Sequence, residues 1–430
     1  MTYEYNSSDP VKVKLADLPD KDAFMLSESK TFCIYPWIHL HTYPTGETYP
    51  CCHANMHDSI GTTKKHTLQE LWNAKDMKEL RTNMLNNKMS HICNGCYEQD
   101  NNGFFSGRKS ANKHHGHYIN KINKTKSDGT LDDFNLMYWD TRFSNLCNLS
   151  CRTCGHIFSS SWYKDQIQLC ENAGDYSYSE NNKALTIAGK TKDDMLEQLL
   201  QHIDIVEQIY FAGGEPLTME EHYIILDELV KRKRFEVRLI YNTNFTQLEL
   251  KHTHVFTYWK LFDSVSVGAS LDGMGKYAEY IRTGTKWETI ENNRKLMLKE
   301  CPNVDFYISA TLSIFNALHI TDFHKDWINK GLIKPQDFNI NILQDPPHYR
   351  IDIANKDYKG RINDKLNSHI KWLTDKDKLN RASTGYKSAL TFMYATDNTH
   401  LIDTFWDKTK ELDKIRNVNI LDSIPELKQL

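Results

Sequence analysis

Residues 208–216 read Gln208-Ile-Tyr-Phe-Ala-Gly-Gly-Glu-Pro216. A near-continuous apolar run of this kind predicts a strand covered on both faces, as in a parallel sheet. It stops at two glycines, where the missing Cβ lets backbone approach a neighbour or a ligand closely. Working outward, strand-like runs are read at 136–143, 206–212, 237–242, 264–269, 304–312 and 338–343. Helical stretches lie between them at 219–232, 287–300 and 319–330. Strands alternating with helices imply parallel pairing through right-handed crossovers. The expected fold class is therefore α/β: a partial six-unit (β/α) barrel, or failing that an open doubly wound sheet. In such folds chemistry gathers at the C-terminal ends of strands.

The 430 residues suffice for two or three domains. The expected organisation is an N-terminal arm (1–30), a cysteine-rich module (31–100), a linker rich in Asn, Gly, Lys and His (101–134), the α/β body (135–345) and a helical C-terminal region (346–430). The last carries no motif. Within the module, 67–81 reads as a helix, with Thr67 and Glu70 forming a capping box. The net charge of −3 gives no sign of a polyanionic partner. No apolar run approaches the length of a membrane span. Residues 1–22 lack the apolar stretch of a signal peptide, so a cytoplasmic location is expected.

Ten cysteines exceed what packing requires. Eight fall into close groups, the pattern of metal or cluster ligands. Cys170 and Cys301 stand alone and read as small buried hydrophobes. Directly after the first strand comes Cys147-Asn-Leu-Ser-Cys151-Arg-Thr-Cys154. Thiolates select soft metals and iron-sulfur clusters. Three of them around four irons leave one iron open, the mark of a catalytic site. A zinc knuckle remains the alternative, with His156 as a fourth ligand. After the second strand, Gly213, Gly214, Glu215 and Pro216 offer carbonyls and a carboxylate to an ammonium group.

C-x3-C-x2-C after one strand and Gly-Gly-Glu-Pro after the next resemble the radical S-adenosylmethionine superfamily, over about residues 135–345. The resemblance implies a catalytic 4Fe-4S cluster on Cys147, Cys151 and Cys154. It implies that the methionine amino and carboxylate groups of S-adenosylmethionine chelate the open iron. Reductive cleavage then yields a 5'-deoxyadenosyl radical that abstracts hydrogen from substrate. A reducing partner such as flavodoxin or ferredoxin is expected. Thr153 stands where the family usually has an aromatic residue near the adenine. In related enzymes the fourth strand end contacts ribose or substrate, here Ser270 and Asp272. Asn242 and Asn244 end the third strand. Arg282 resembles an arginine of peptide-modifying members.

Cys33, Pro36-Trp37, Gly46, Cys51 and the pair Cys93 and Cys96 are similar to the SPASM/twitch modules that carry an auxiliary cluster. Five cysteines fit the shorter twitch form with one second 4Fe-4S cluster, held by Cys33, Cys51, Cys93 and Cys96. A structural zinc site is the alternative. Cys52 is a ligand, a substrate contact or neither. The resemblance favours a peptide or protein side chain as substrate, with a nucleotide or small metabolite second and a non-catalytic metal-binding scaffold third. Lys231-Arg-Lys-Arg234 ends a helix, where cations complement its dipole, so no nucleic acid is expected. Lys113-His-His-Gly-His117 reads as solvated linker, and His39 and His41 as strand-surface residues.

Overall fold

The computed structural model describes residues 12–103 and 105–430. The chain divides into two units. One takes the chain up to Ser144 with Ile187–Gly213 and Tyr223–Arg238; the other takes Asn145–Thr186, Gly214–His222 and Leu239–Leu430.

In the first unit, the strands Tyr138–Thr141 and Gln208–Phe211 pair in parallel, with Tyr138 opposite Gln208. His39–Thr42, from the cysteine-rich module, pairs in parallel with the other side of Tyr138–Thr141. It then turns antiparallel to Glu47–Tyr49, which pairs with Gly61–Thr62. The module is therefore continuous with the body's sheet. Gly46 makes the hairpin turn at φ +100°, where its N–H donates to the Tyr43 carbonyl at 2.9 Å. The Thr67–Glu70 capping box forms on the helix Leu68–Trp72. The predicted single helix breaks at Asn73 and resumes as Lys75–Leu85.

The segments read as arm and linker are both partly helical. The arm is helical at Asp20–Ser27, and its first eleven residues lie outside those described. The linker is ordered as the helix Gly107–His115 and a 3-10 stretch Gly116–Lys124. Composition misleads there because its polar residues face inward: Arg108, Asn112 and His115 are buried. Ser106 caps that helix by accepting from the Lys109 N–H.

In the second unit, Arg238–Thr243, Val265–Ala269, Asp305–Leu312 and Phe338–Ile342 pair in parallel, in that order. Their registers run Leu239–Val265, Ser266–Asp305 and Ile308–Phe338. The helices Trp287–Glu300 and Ile320–Asn329 follow where apolar spacing predicts them. Both units thus show the α/β class with parallel strands. The C-terminal region forms the helices Lys356–Leu373, Arg381–Ala395 and Ile402–Arg416. Cys301 is buried, but Cys170 is half-exposed on the helix Tyr163–Asn172.

Candidate cluster sites

The Cys147–Cys154 loop is fixed by backbone. Ser150–Cys151 pairs antiparallel with Arg282–Thr283, and the Arg152 N–H donates to the Ile281 carbonyl at 2.8 Å. The loop's carbonyls are taken up by a Ser-Ser-Ser-Trp run. Ser159 donates to Leu149 O at 2.6 Å, Ser161 to Cys147 O at 2.7 Å, and Trp162 Nε1 to Cys151 O at 2.8 Å. These bonds tie three of the loop's carbonyls to neighbouring side chains.

The Gly-Gly-Glu-Pro turn locks onto this loop. The Glu215 N–H donates to the Leu146 carbonyl at 2.7 Å. Gly214 sits at φ +54°, and a Cβ there would lie 2.2 Å from the same oxygen. Gly213, at φ +81°, gives room to Arg142, whose Cβ would be 2.8 Å away. In this structure Gly214 serves close approach of backbone to backbone, and Gly213 makes room for the Arg142 side chain. The Glu215 carboxylate is buried and accepts from Thr243 Oγ1 at 2.7 Å, Asn244 N at 2.6 Å and Leu217 N at 3.1 Å. Three donors of the chain hold it. Burial pushes its pKa up to about 7, although those donors favour the ionised form. Pro216 starts the 3-10 turn Pro216–Thr218.

Other strand-end residues converge on the sulfurs. Asn244 Nδ2 donates to Asn148 Oδ1 at 2.8 Å and lies 3.9 Å from Cys147 Sγ. Asn242 occupies the space over Gly268, where a Cβ would lie 2.8 Å from its Oδ1. Ser270 is half-buried and its N–H donates to the Thr243 carbonyl at 2.8 Å. Asp272 is fully buried. It pairs with Arg282 Nε at 2.8 Å and accepts from the Thr311 N–H at 2.7 Å. Arg282 Nη1 in turn donates to Cys151 Sγ at 3.7 Å.

The C-terminal region reaches the same loop, which no motif foretold. Arg152 is fully buried, donates through Nε to the Tyr280 carbonyl at 3.2 Å, and pairs with Asp413. Asp413 also accepts from Tyr280 Oη at 2.8 Å and the Ile420 N–H at 2.7 Å. Arg416 lies 4.6 Å over the Trp162 ring and donates to Asp165 at 2.9 Å.

Burial pushes the Cys147 and Cys154 thiols up to about 12 and raises Cys151, where Arg282 opposes it. A bound cation favours the thiolate form of such groups. His156 does not complete a zinc knuckle. One ring nitrogen meets the Lys183 carbonyl at 3.0 Å and the other the Tyr178 hydroxyl. Among the described residues no three His, Cys, Asp or Glu side chains close on a single-ion site. Three thiols on one eight-residue loop are a donor set that fits an iron-sulfur cluster.

In the first unit Cys33, Cys51, Cys93 and Cys96 gather together. Cys51 feels Cys52, Cys96, Cys33 and Cys93, and Cys33 feels Cys93 and Cys96. Cys93 begins the helix Asn94–Asn101, which carries Cys96 on its first turn. The backbone around Cys33 is pinned by the supposed linker. Arg108 Nη1 donates to the Ser29 and Phe32 carbonyls at 2.8 and 3.0 Å. Asn112 accepts from the Ile34 N–H at 3.0 Å and donates to the Phe32 carbonyl at 3.1 Å. Burial raises all four thiols.

Cys52 faces differently: its leading charged neighbours are Asp140 and Arg142. His41 Nδ1 meets Asp140 Oδ2 at 2.7 Å, and Arg142 Nε donates to Asp140 Oδ1 at 3.0 Å. Burial works against an ionised Asp140, yet Arg142 and then His41 outweigh it and hold the carboxyl below the usual range. His39 and His41 are buried, not strand-surface residues. Alternation alone missed them because both faces of this strand are covered. His115 is also buried and stacks on Tyr138 at 5.4 Å, so the His-rich stretch is not solvated throughout.

No curated protein matches this chain in sequence. Among solved structures, anSMEcpe with bound AdoMet is 19% identical over 56% of this chain and 59% of its own, with a TM-score of 0.39. Streptococcus suis SuiB bound to precursor peptide SuiA is 12% identical over 74% of this chain and 71% of its own, with a TM-score of 0.36. The chain thus spans 59% of the length of the first of these, and likeness at such TM-scores carries no functional weight. The family match is local and direct: residues 33–97 match SPASM, described as an iron-sulfur cluster-binding domain. The cysteine-rich stretch is thus the part of this chain that resembles a known iron-sulfur cluster-binding domain.

Proposed function

We propose that this chain is a radical S-adenosylmethionine enzyme acting on a peptide or protein side chain. The observation that carries the reading is the lock between its two motifs. Gly214 and the Glu215 N–H hold the Gly-Gly-Glu-Pro turn against Leu146, directly before Cys147. Cys147, Cys151 and Cys154 are the ligands of a 4Fe-4S cluster with one open iron. The carbonyls of Gly213 and Gly214 are the acceptors for the ammonium group of S-adenosylmethionine, with Glu215 and Pro216 shaping the turn. Ser270 lies at a neighbouring strand end, free to meet the cofactor or substrate. Asp272 acts from behind through Arg282.

When bound, the cluster and S-adenosylmethionine together supply a 5'-deoxyadenosyl radical able to abstract hydrogen. The chain's own work is placement. The Ser159–Trp162 run fixes the loop's carbonyls. Asn244 and Arg282 present N–H groups to Cys147 and Cys151. Cys33, Cys51, Cys93 and Cys96 would hold an auxiliary cluster, which would supply a substrate contact or an electron acceptor. The SPASM domain supports a peptide substrate, and a reduced flavodoxin or ferredoxin is the proposed electron donor. Among the described residues no helix is long and apolar enough to cross a membrane; we place the enzyme in the cytoplasm.

The test is anaerobic. The protein is reconstituted with iron and sulfide, then given dithionite and S-adenosylmethionine, and 5'-deoxyadenosine is measured. About eight irons per chain are expected from two four-iron clusters. Cleavage should vanish in Cys147→Ala and persist in Cys93→Ala. Zinc in place of iron, or no cleavage, leaves a metal-binding scaffold. Cleavage stimulated by nucleotides and not by peptides moves the substrate to the nucleotide class.

A further inference from the structure

We infer that Arg282 sets the reduction potential of the cluster on Cys147, Cys151 and Cys154, with Asp272 as the counter-charge that orients it. This rests on the function proposed above. The antiparallel register puts Arg282 opposite Cys151, so backbone pairing aims the guanidinium at the sulfur. Nη1 donates to Sγ at 3.7 Å, while Nε faces Asp272 Oδ2 at 2.8 Å. Asp272 is itself immobilised: its Oδ1 accepts from the Thr311 N–H at 2.7 Å, and its carbonyl accepts from Asn316 Nδ2 at 2.7 Å. The pair is 12% and 0% exposed, so solvent screens it weakly.

Reduction adds one negative charge to the cluster. A donor to sulfur and a nearby cation stabilise that charge and raise the potential. Arg282 supplies both. Arg416 is the other cation acting on Cys151, but it spends its donors on Asp165 and on Thr283 Oγ1 at 3.0 Å. The Arg282–Asp272 pair is neutral as a whole. Without the arginine one negative charge remains beside the cluster; without the aspartate one positive charge remains. The two substitutions therefore move the potential in opposite directions, which a merely structural pair does not do. Arg282 is a positioning and tuning residue here, acting through Cys151.

The experiment is an anaerobic redox titration of the reconstituted full chain, followed by electron paramagnetic resonance. The signal that changes on adding S-adenosylmethionine belongs to the open-iron cluster, and the auxiliary cluster serves as internal reference. Arg282→Gln should shift the open-iron midpoint to more negative potential and Asp272→Asn to more positive. The auxiliary midpoint should not move. Equal midpoints in all three proteins, or shifts of the same sign, overturn the inference. Breaking a buried ion pair can prevent folding, so Arg282→Lys, which keeps the charge with a single donor head, is run beside them. It should shift negative by less than Arg282→Gln; a zero or positive shift overturns the inference. A wild-type protein that assembles no cluster on Cys147, Cys151 and Cys154 overturns the proposed function itself, and that result is distinct from clusters that assemble with unmoved midpoints.

Discussion

Replacing Gly214 with alanine puts a methyl group 2.2 Å from the Leu146 carbonyl oxygen. Ordinary contact begins near ~3.5 Å, so the turn and the cysteine loop must part by ~1 Å. The residue also keeps φ +54°, which costs a side chain ~1–2 kcal/mol. Parting the segments loses the 2.7 Å hydrogen bond from Glu215, worth about 1 kcal/mol net. The sum is about 2–3 kcal/mol, concentrated one residue before Cys147 rather than spread through the fold. Parallel strands elsewhere do not touch this contact, so the circular dichroism spectrum should stay that of wild type. Iron retained on Cys147, Cys151 and Cys154 should fall, as should resistance to denaturant. The assay is iron and sulfide content per chain after reconstitution, with a urea unfolding curve on the same sample. A variant that unfolds with wild-type stability and binds wild-type iron refutes the steric argument.

Asp413→Ala should destabilise by about 3–5 kcal/mol, because it leaves Arg152 buried without its carboxylate; hydrogen exchange should accelerate both in the helix Ile402–Arg416 and at Cys147–Cys154. Glu215, with its pKa raised to about 7, binds a proton more tightly folded than unfolded. Its contribution is present below pH 4.5 and is lost as pH rises toward 7, so stability should fall across that window, and Glu215→Gln should flatten the slope in urea curves taken at several pH values. In the SPASM domain, Cys51→Ser should lose the auxiliary cluster and Cys52→Ser should keep it, because Cys52 turns to Asp140 and Arg142; equal iron content in the two variants contradicts this assignment.

The six parallel strands were legible because each is a short apolar run between polar segments. The Gly46 turn and the Thr67–Glu70 cap were legible because single residues with special chemistry dictate them. What escaped the sequence was polar and buried. Arg108 and Asn112 look like linker residues until the carbonyls of Ser29 and Phe32 are seen to receive them. His41 looks like a surface residue until Asp140 stands beside it. Asp272 and Glu215 sit at the expected strand ends, but their side chains point back into the protein. Hydrogen-bond partners hundreds of residues away, such as Asp413 for Arg152, leave no local pattern at all.

The helix Gly107–His115 has a practical consequence. A fragment cut at the limits of the family match, residues 33–97, omits Arg108 and Asn112. It also strips the strand His39–Thr42 of its parallel neighbour Tyr138–Thr141. Such a piece carries all four thiols but presents a bare sheet edge and an unanchored Cys33, which is a recipe for intermolecular strand pairing rather than autonomous folding. Grafting this segment onto another protein therefore means moving at least the chain through Thr141.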